Sequence, residues 1–308
     1  MKKTILLSLF LAIIIAGKAQ SNIEATTSTG QKVILHTNNT WKYNSSIAQK
    51  PIITNCSVTE LMKQNGPLKE GVIAHKEYTL AYNSTYRLAS SVSYELTKVM
   101  LLTQPRMERS DKFTRDPGVK ADVSAMDGDY KKSGYDRGHL CPAADMSHSE
   151  KAMEETFYYS NMSPQKPGFN RGIWKKLEEQ VRTWAIENSE VYVVTGPVLG
   201  SKYVTKENDL FVPKYFYKVI LDYSDPGVKG IGFILPNESS SADLSSFAVS
   251  IDSVEKFTGI DFFPSLPDDQ EKVIESSYDY SMWSVPTIST TNATLRENNH
   301  FVVFYAPH

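Results

Sequence analysis

A short segment in the middle of the chain, "SGYDRGHLCPAADM" (residues 133–146), combines three residues suited to hydrolysis of a phosphate ester. His139 can accept a proton from water, because a neutral imidazole titrates near neutral pH. Arg137 keeps its charge at any working pH and presents a fork that fits phosphate oxygens, while Gly138 allows the backbone to approach a ligand closely. A lone histidine is more often a surface or core residue with a satisfied ring, so this segment alone only suggests the chemistry.

A second segment, "SNMSPQKPGFNRGIWKKLEEQVRTW" (residues 160–184), adds polar side chains around the start of a predicted helix. Asn170 stands where a short polar residue caps a helix, and its amide oxygen is also a suitable hard ligand for magnesium. Glu178 and Arg182 are four residues apart, a spacing typical of a weak ion pair on a helix surface. Between residues 165 and 182, five basic side chains stand against two acidic ones, which suits a phosphate backbone but is also common on a solvated helix face.

Cysteine and histidine spacing argues against a zinc centre. The chain has two cysteines, Cys56 and Cys141, and no CxxC or HExxH pattern. The two cysteines could pair, but two unpaired thiols with Cys141 half buried agree equally well with the sequence. The formal net charge of −2 neither favours nor excludes a nucleic-acid partner, because the local field decides such binding.

Several motifs, taken together and in order, resemble the DNA/RNA non-specific endonuclease family, the endonuclease G-like nucleases with a DRGH motif. The strongest are "SGYDRGHLCPAADM", "SNMSPQ" and "FNRGIWKKLEEQVR". Further matches are "YELT" (94–97), "VVTGPVL" (193–199), "VPKYFYKVIL" (212–221), "GFILPN" (232–237) and "VEKFTGIDFFPSLPD" (254–268). The likeness spans roughly residues 68 to 284.

The resemblance implies a fold, an activity and a cofactor. The fold is α+β, with a ββα-metal core on a mixed, largely antiparallel central sheet flanked by helices. The activity is cleavage of DNA and RNA with little sequence preference. The cofactor is Mg²⁺, with Mn²⁺ as an alternative ion.

The resemblance also implies roles for the polar side chains of the two segments. His139 is expected to be the general base that activates water, Asn170 the single protein ligand of the metal, and Glu178 the group that holds a metal-bound water. A metal held by one neutral ligand keeps much of its charge, so it can stabilise negative charge on the phosphate and on the leaving 3′ oxygen.

Four further residues receive supporting roles from the same resemblance. Arg137 is expected to brace the phosphate, Asn161 to help shape the site, and Arg182 to support Glu178 or bind the substrate. Arg109, in "PRMERSDKF", falls near a family arginine that contacts phosphate. Cys141 and the following "PAADM" match bacterial-type members better than mitochondrial ones, a departure that leaves the catalytic groups unchanged.

The elements that position these residues can be predicted from hydrophobic periodicity. The segment 77–98 alternates apolar and polar residues around a turn near Asn83, which predicts two paired strands. The runs "VYVVTGPVL", "YFYKVILDY" and "VKGIGFILPN" predict buried central strands. Apolar residues at three- and four-residue steps between Ile173 and Trp184 predict an amphipathic helix, and a shorter helix is predicted around Ile251 to Phe257. Few helices have crossover length, which favours α+β over a doubly wound parallel sheet.

The N-terminal region lies before the part of the chain that resembles the family. Residues 1–19 have the basic start, short apolar run and small residues of a secretory signal peptide, and the run is too short for a membrane anchor. Residues 20–55 are predicted to form an accessory hairpin (33–43) followed by a linker (45–55), and residues 56–308 the endonuclease domain. The protein is therefore expected to be exported, to the periplasm or the extracellular space, without a stable membrane anchor.

Two other classes of function compete with a nuclease that acts on DNA and RNA. One is an exported nucleic-acid-binding protein without catalysis, which would need neither His139 nor Asn170 nor Glu178. The other is a secreted phosphodiesterase of small nucleotides, which only a comparison of long and short substrates separates from a nuclease. Monomer and homodimer are both open at this stage.

Overall fold

The computed structural model describes residues 71–207, 210–224 and 228–283, together with four short strands nearer the N-terminus. The chain divides into two compact units, and the larger one contains the described residues from 64 onward. The other unit contains a three-stranded antiparallel sheet of β1 (Asn22–Thr26), β2 (Lys32–His36) and β3 (Trp41–Tyr43). The predicted hairpin is confirmed as β2 and β3, with β1 as an additional strand. The predicted signal peptide (1–19) and linker (45–55) lie outside the described residues.

A seven-stranded sheet forms the centre of the larger unit, and every neighbouring pair of its strands is antiparallel. The order of the strands across the sheet is β15 (Ala248–Val249), β14 (Lys229–Pro236), β13 (Tyr215–Asp222), β10 (Glu190–Pro197), β7 (Leu88–Thr97), β6 (Tyr78–Asn83) and β5 (Val72–Ala74). The predicted strands and the largely antiparallel central sheet are confirmed, and all described pairs of this sheet are antiparallel.

Six helices and three two-stranded ribbons complete the described part of this unit. The helices are α1 (Lys98–Leu102), α2 (Asp127–Tyr130), α3 (Glu150–Glu155), α4 (Lys175–Glu187), α5 (Ile251–Thr258) and α6 (Asp268–Glu275). The ribbons pair β8 (Asp136–His139) with β9 (Met162–Gln165), β11 (Val204–Glu207) with β12 (Leu210–Pro213), and β4 (Gln64–Asn65) with β16 (Asp261–Phe262). None of the described helices combines the length and the apolar character needed to cross a membrane.

The core lies between α4 and the sheet, because the apolar stripe of the helix and the central strands bury one another. Leu177, Val181 and Trp184 of α4 are at most 1% exposed, which confirms the predicted amphipathic helix. Trp184 stacks on Phe233 of β14 with ring centroids 6.1 Å apart. A fully buried side chain of this size contributes about 1.5–3 kcal/mol relative to an exposed one, so this stripe fixes α4 on the sheet.

The β8–β9 ribbon and α4 form the predicted ββα unit. His139 pairs with Met162 and Gly138 with Ser163, and the chain then continues from β9 through a π-helical turn (Phe169–Trp174) into α4. Gly138 is required by packing, because a Cβ atom there would collide with the buried side chain of Gln165. From the sequence, Gly138 was expected to let the backbone approach a ligand closely. In the fold, packing within the protein explains why this position has no side chain.

Candidate active site

His139 ends β8 with its imidazole enclosed by aromatic rings. His139 is 8% exposed, and its imidazole packs edge-on against the ring of Phe157, with the ring centroids 4.9 Å apart. Its Nε2 atom is buried and has no hydrogen-bond partner. Burial, and secondarily the charge of Arg109, lower the pKa of His139 to about 3, while a hydrogen bond with the backbone of Arg137 acts in the opposite direction. The imidazole is therefore neutral at neutral pH, with one ring nitrogen free to accept a proton.

Two arginines share the aromatic rings that hold His139. The guanidinium of Arg109 lies 4.9 Å from the ring centroid of Phe157, and that of Arg137 lies 5.0 Å from the ring centroid of Phe113. Phe113 also faces the imidazole of His139, at 6.1 Å between ring centroids. The structure thus brings Arg109, Arg137 and His139 together, as the sequence analysis expects of a site that binds phosphate.

Each of these arginines is paired with a carboxylate that is largely exposed. Arg137 forms an ion pair with Asp127, whose side chain is 66% exposed. Arg109 donates to Asp111 over 2.6 Å, and both side chains are more than half exposed. Exposed ion pairs contribute about 0–1 kcal/mol, so an incoming phosphate can replace these carboxylates at small cost.

Asn170 lies in the π-helical turn before α4, where its side chain is held by Asp136 of β8. Its Nδ2 donates to Asp136 Oδ2 over 2.9 Å. The same carboxylate accepts two hydrogen bonds from Arg171, at 2.8 and 2.6 Å. Burial raises the pKa of Asp136, but the hydrogen bonds from Arg171 and Asn170 outweigh it and leave the pKa below its ordinary value. An ionised carboxylate only accepts, so it orients the NH₂ end of the amide and leaves the carbonyl oxygen of Asn170 for another partner.

The helix-cap interpretation of Asn170 does not hold in the structure. The N-cap position of α4 is Trp174, which makes no capping hydrogen bond through its side chain. Gly172 breaks the helical path between Asn170 and α4, with φ −105° and ψ −111°. Asn170 therefore precedes a kink in the chain, and its side chain donates a hydrogen bond to Asp136 and does not cap α4.

Glu178 lies in the first turn of α4 and faces a buried lysine. Lys218, on β13, is fully buried, and its Nζ has no hydrogen-bond partner and lies 4.7 Å from the ring centroid of Trp174. Burial raises the pKa of Glu178, the charge of Lys218 opposes this, and Asp145 raises the pKa further. The net effect is a pKa for Glu178 above its ordinary value, with burial as the main cause.

Arg182 pairs with Asp145, which replaces the predicted surface pair with Glu178 by a buried ion pair. Arg182 donates to Asp145 Oδ1 over 2.8 Å, and Tyr94 donates its hydroxyl to Asp145 Oδ2 over 3.1 Å. Asp145 is fully buried. The charge of Arg182 also lowers the pKa of Glu178.

Asn161 is a positioning residue. It is fully buried in the turn before β9, and its side chain accepts from the backbone N–H of Cys141 and donates to the carbonyls of Cys141 and Thr156, all at 2.8–2.9 Å. These bonds fix the chain two residues after His139. Cys141 itself is a buried free thiol.

Three contributing residues were missed by the sequence analysis: Asp136, Asp145 and Lys218. Asp136 is the first residue of the DRGH motif, so its place in the motif was an available signal. Lys218 is the single charge within the apolar run "YFYKVIL", and a lysine in a strand buried on both faces is uncommon enough to mark. Asp145 carries no comparable signal, because an acidic residue in a loop is ordinary.

Comparison with known proteins extends the likeness to most of the described unit. A family model described as DNA/RNA non-specific endonuclease matches residues 57–269. Nuclease C1 of Cunninghamella echinulata var. echinulata is 39% identical over 209 residues, which cover 63% of this chain and 83% of that protein. The human protein "Endonuclease G, mitochondrial" is 34% identical over 221 residues, 67% of this chain and 74% of that protein. A chain in the crystal structure of the EndoG/EndoGI complex is 34% identical, with a TM-score of 0.59 over 65% of this chain and 88% of that chain.

Proposed function

The chain belongs to the DNA/RNA non-specific endonuclease family and is a nuclease, and we propose that it hydrolyses phosphodiester bonds within both DNA and RNA with little sequence preference. We further propose that His139 is the general base and that Asn170 is the single protein ligand of a divalent metal ion. The observation that carries the proposal is the buried, neutral and unpartnered Nε2 of His139 beside two arginines.

His139 is suited to take the proton of an attacking water. Its Nε2 has no hydrogen-bond partner among the described residues, so no other donor competes with a water that enters the site. General-base catalysis of this kind contributes about 10²- to 10⁴-fold to a rate. The edge-on contact with Phe157 and the hydrogen bond with the Arg137 backbone keep the ring in one orientation.

Arg109 and Arg137 bind the phosphate in this proposal. Guanidinium groups match phosphate oxygens in a bidentate manner, and contacts with phosphate carry no information about the bases. The two side chains flank the aromatic rings that also hold His139, so a phosphate bound by them lies next to the base. Weak sequence preference follows from this mode of binding.

The residues around Asn170 fit a magnesium ion that keeps most of its waters. The amide oxygen of Asn170 is the end left over after Asp136 has taken the NH₂ group. Glu178 accepts hydrogen bonds from waters of the site when ionised, and Lys218 and Arg182 favour that state. A bound divalent ion supplies charge stabilisation for the phosphate and the leaving 3′ oxygen. Mg²⁺ needs few protein ligands, and Mn²⁺ accepts a similar oxygen set.

A cleavage assay with three substrates tests the proposed function. The purified protein should nick supercoiled plasmid and degrade single-stranded RNA in magnesium, and excess EDTA should abolish both activities. Activity that survives EDTA would contradict a metal-dependent mechanism. Turnover of dinucleotides at the rate of long duplexes would favour a small-nucleotide phosphodiesterase, and binding without cleavage would favour a binding protein.

We also propose that the protein is exported. The basic start and short apolar run of residues 1–19 support this. The human relative, in contrast, is named as a mitochondrial protein. Cell fractionation with N-terminal sequencing tests it. A mature chain that begins at Gln20 outside the cytoplasm is the expected result, and an unprocessed chain retained with the cytoplasm contradicts export.

A further inference from the structure

Three carboxylates converge at the meeting point of α5 and α6, away from the residues assigned to nucleic-acid cleavage. Asp252 and Glu255 lie one turn apart on α5, and Glu275 is the last residue of α6. Each offers an oxygen atom, and these atoms all lie within 4.8 Å of one another. Three like charges at this separation repel one another strongly unless protons or a cation compensate them.

Glu275 is the member of the group that most requires a partner. It is 3% exposed, and its Oε1 atom is buried without a hydrogen bond. A buried carboxylate without a partner costs several kcal/mol, so such groups are normally paired, protonated or bound to a metal. Glu255 differs, because one of its oxygens accepts from the backbone N–H of Phe262 at 2.7 Å and the other is left for a ligand.

The charges that act most strongly on Glu255 and Glu275 are those of neighbouring carboxylates. Burial raises the pKa of Glu255 to about 7 and that of Glu275 to about 9, and neighbouring carboxylates, Asp261 and Glu271 among them, add to both. No described lysine or arginine forms an ion pair with Asp252, Glu255 or Glu275. Negative charge therefore accumulates here, and no described ion pair compensates it.

We propose that Asp252, Glu255 and Glu275 bind a calcium ion. All three ligands are carboxylates, which calcium prefers, and the set has neither the histidine nor the cysteine that zinc sites use. Calcium takes six to eight oxygens in flexible geometry, so bidentate carboxylates and waters entering beside the exposed Asp252 complete its shell. Magnesium prefers one or two carboxylates and an octahedral shell of waters, which fits three converging carboxylates less well.

Calcium at this position would link the two helices that cover β14. Ile251 of α5 and Ile274 of α6 both lie against Gly230 of β14, where an added Cβ atom would collide with them. Asp252 and Glu275 are the neighbours of these isoleucines in sequence, so the ion would close the helix pair directly above its contact with the sheet. The role is structural and does not depend on the proposed nuclease function.

Thermal unfolding of an Asn170→Ala variant tests the proposal, because this background removes the ligand proposed for the catalytic metal. Calcium should raise the melting temperature of this variant in a saturable manner, by about 5 °C or more at a concentration about a hundred times the dissociation constant. Adding Asp252→Asn, an exposed position, should weaken the response without disturbing the core. Adding Asp269→Asn, an exposed acid of α6 outside the group, should leave it unchanged.

Glu275→Gln supplies a test of opposite sign. In EDTA this change should stabilise the protein, because it removes a buried unpaired acid and keeps its shape. In calcium it should abolish the rise in melting temperature. The proposal is overturned if calcium does not change the melting temperature of the Asn170→Ala protein, or if Asp252→Asn and Glu275→Gln respond to calcium as fully as Asp269→Asn does. A response to magnesium that exceeds the response to calcium would also overturn the choice of ion.

Discussion

Replacing Asp136 by alanine should weaken metal binding and leave the general base intact. Asp136 Oδ2 accepts from Asn170 Nδ2 at 2.9 Å, and this bond fixes which end of the amide is free to bind the ion. A hydrogen bond to a charged group contributes about 1.5–3 kcal/mol, and about 1.4 kcal/mol corresponds to a factor of ten in an equilibrium constant. Asp136→Ala should therefore need about 10- to 100-fold more magnesium for half-maximal cleavage, the usual cost of removing a residue that orients a metal ligand.

The assay is the initial rate of plasmid nicking as a function of magnesium concentration. At saturating magnesium the rate of Asp136→Ala should approach that of the wild-type protein, because His139, Arg109 and Arg137 are unchanged. Arg171→Ala is the matched control, since it removes two other hydrogen bonds to Asp136 but keeps the one from Asn170. The magnesium requirement of the control should change less.

Two results would refute this reasoning. The first is an unchanged magnesium requirement in Asp136→Ala, which would mean that Asn170 is oriented by other contacts or does not bind the metal. The second is a loss of rate that no magnesium concentration restores while circular dichroism shows an intact fold. That result would place Asp136 in the chemical step.

Three further predictions concern the groups around the site. Lys218→Met removes the buried cation that lowers the pKa of Glu178, so the acid limb of the pH–rate profile should move to higher pH. Asn161→Ala removes three buried hydrogen bonds and should cost about 2–4 kcal/mol of unfolding free energy, measured by urea denaturation. Because the pKa of His139 is lowered to about 3, its imidazole stays neutral on acidification while the unfolded chain takes up a proton. The contribution of His139 to stability should therefore decrease as the pH falls from about 6.5 towards about 3, and His139→Gln should reduce that slope in pH-dependent melting curves.

Much of the fold follows from hydrophobic patterns that are local in sequence. Strands β10, β13 and β14 can be identified by their long apolar runs, because a strand that is buried on both faces is apolar throughout. Helix α4 can be identified by apolar residues at three- and four-residue spacing, because only one of its faces is buried. The helix α6 was not predicted, since its eight residues contain five charged ones and only a short apolar contact at Ile274. The largely antiparallel character of the central sheet came from the family resemblance, because strand direction depends on connections that periodicity does not encode.

The residues of the candidate site also separate into those that local sequence identifies and those whose contacts depend on tertiary packing. His139 and Asn170 were identified by residue type and by a family motif, both of which are local. The bond between Asp136 and Asn170 depends on the kink at Gly172 and on the placement of β8, and the acids of α5 and α6 meet only through tertiary packing. Lys218 lies within the matched segment 212–221, but its charge acts on Glu178 only because β13 and α4 pack together, so this interaction could not be predicted from spacing.

The most direct test of the account compares His139→Ala and Asn170→Ala across a range of magnesium concentrations, with melting temperatures measured alongside. His139→Ala should lose at least about 10²-fold in rate at every magnesium concentration, because no ion replaces a general base. Asn170→Ala should recover part of its rate as magnesium rises. His148→Ala, which removes a histidine paired with Glu77 rather than one in the aromatic enclosure, should retain wild-type activity. If folded His139→Ala keeps more than about a tenth of the wild-type rate, well above what loss of a general base allows, His139 is not the base.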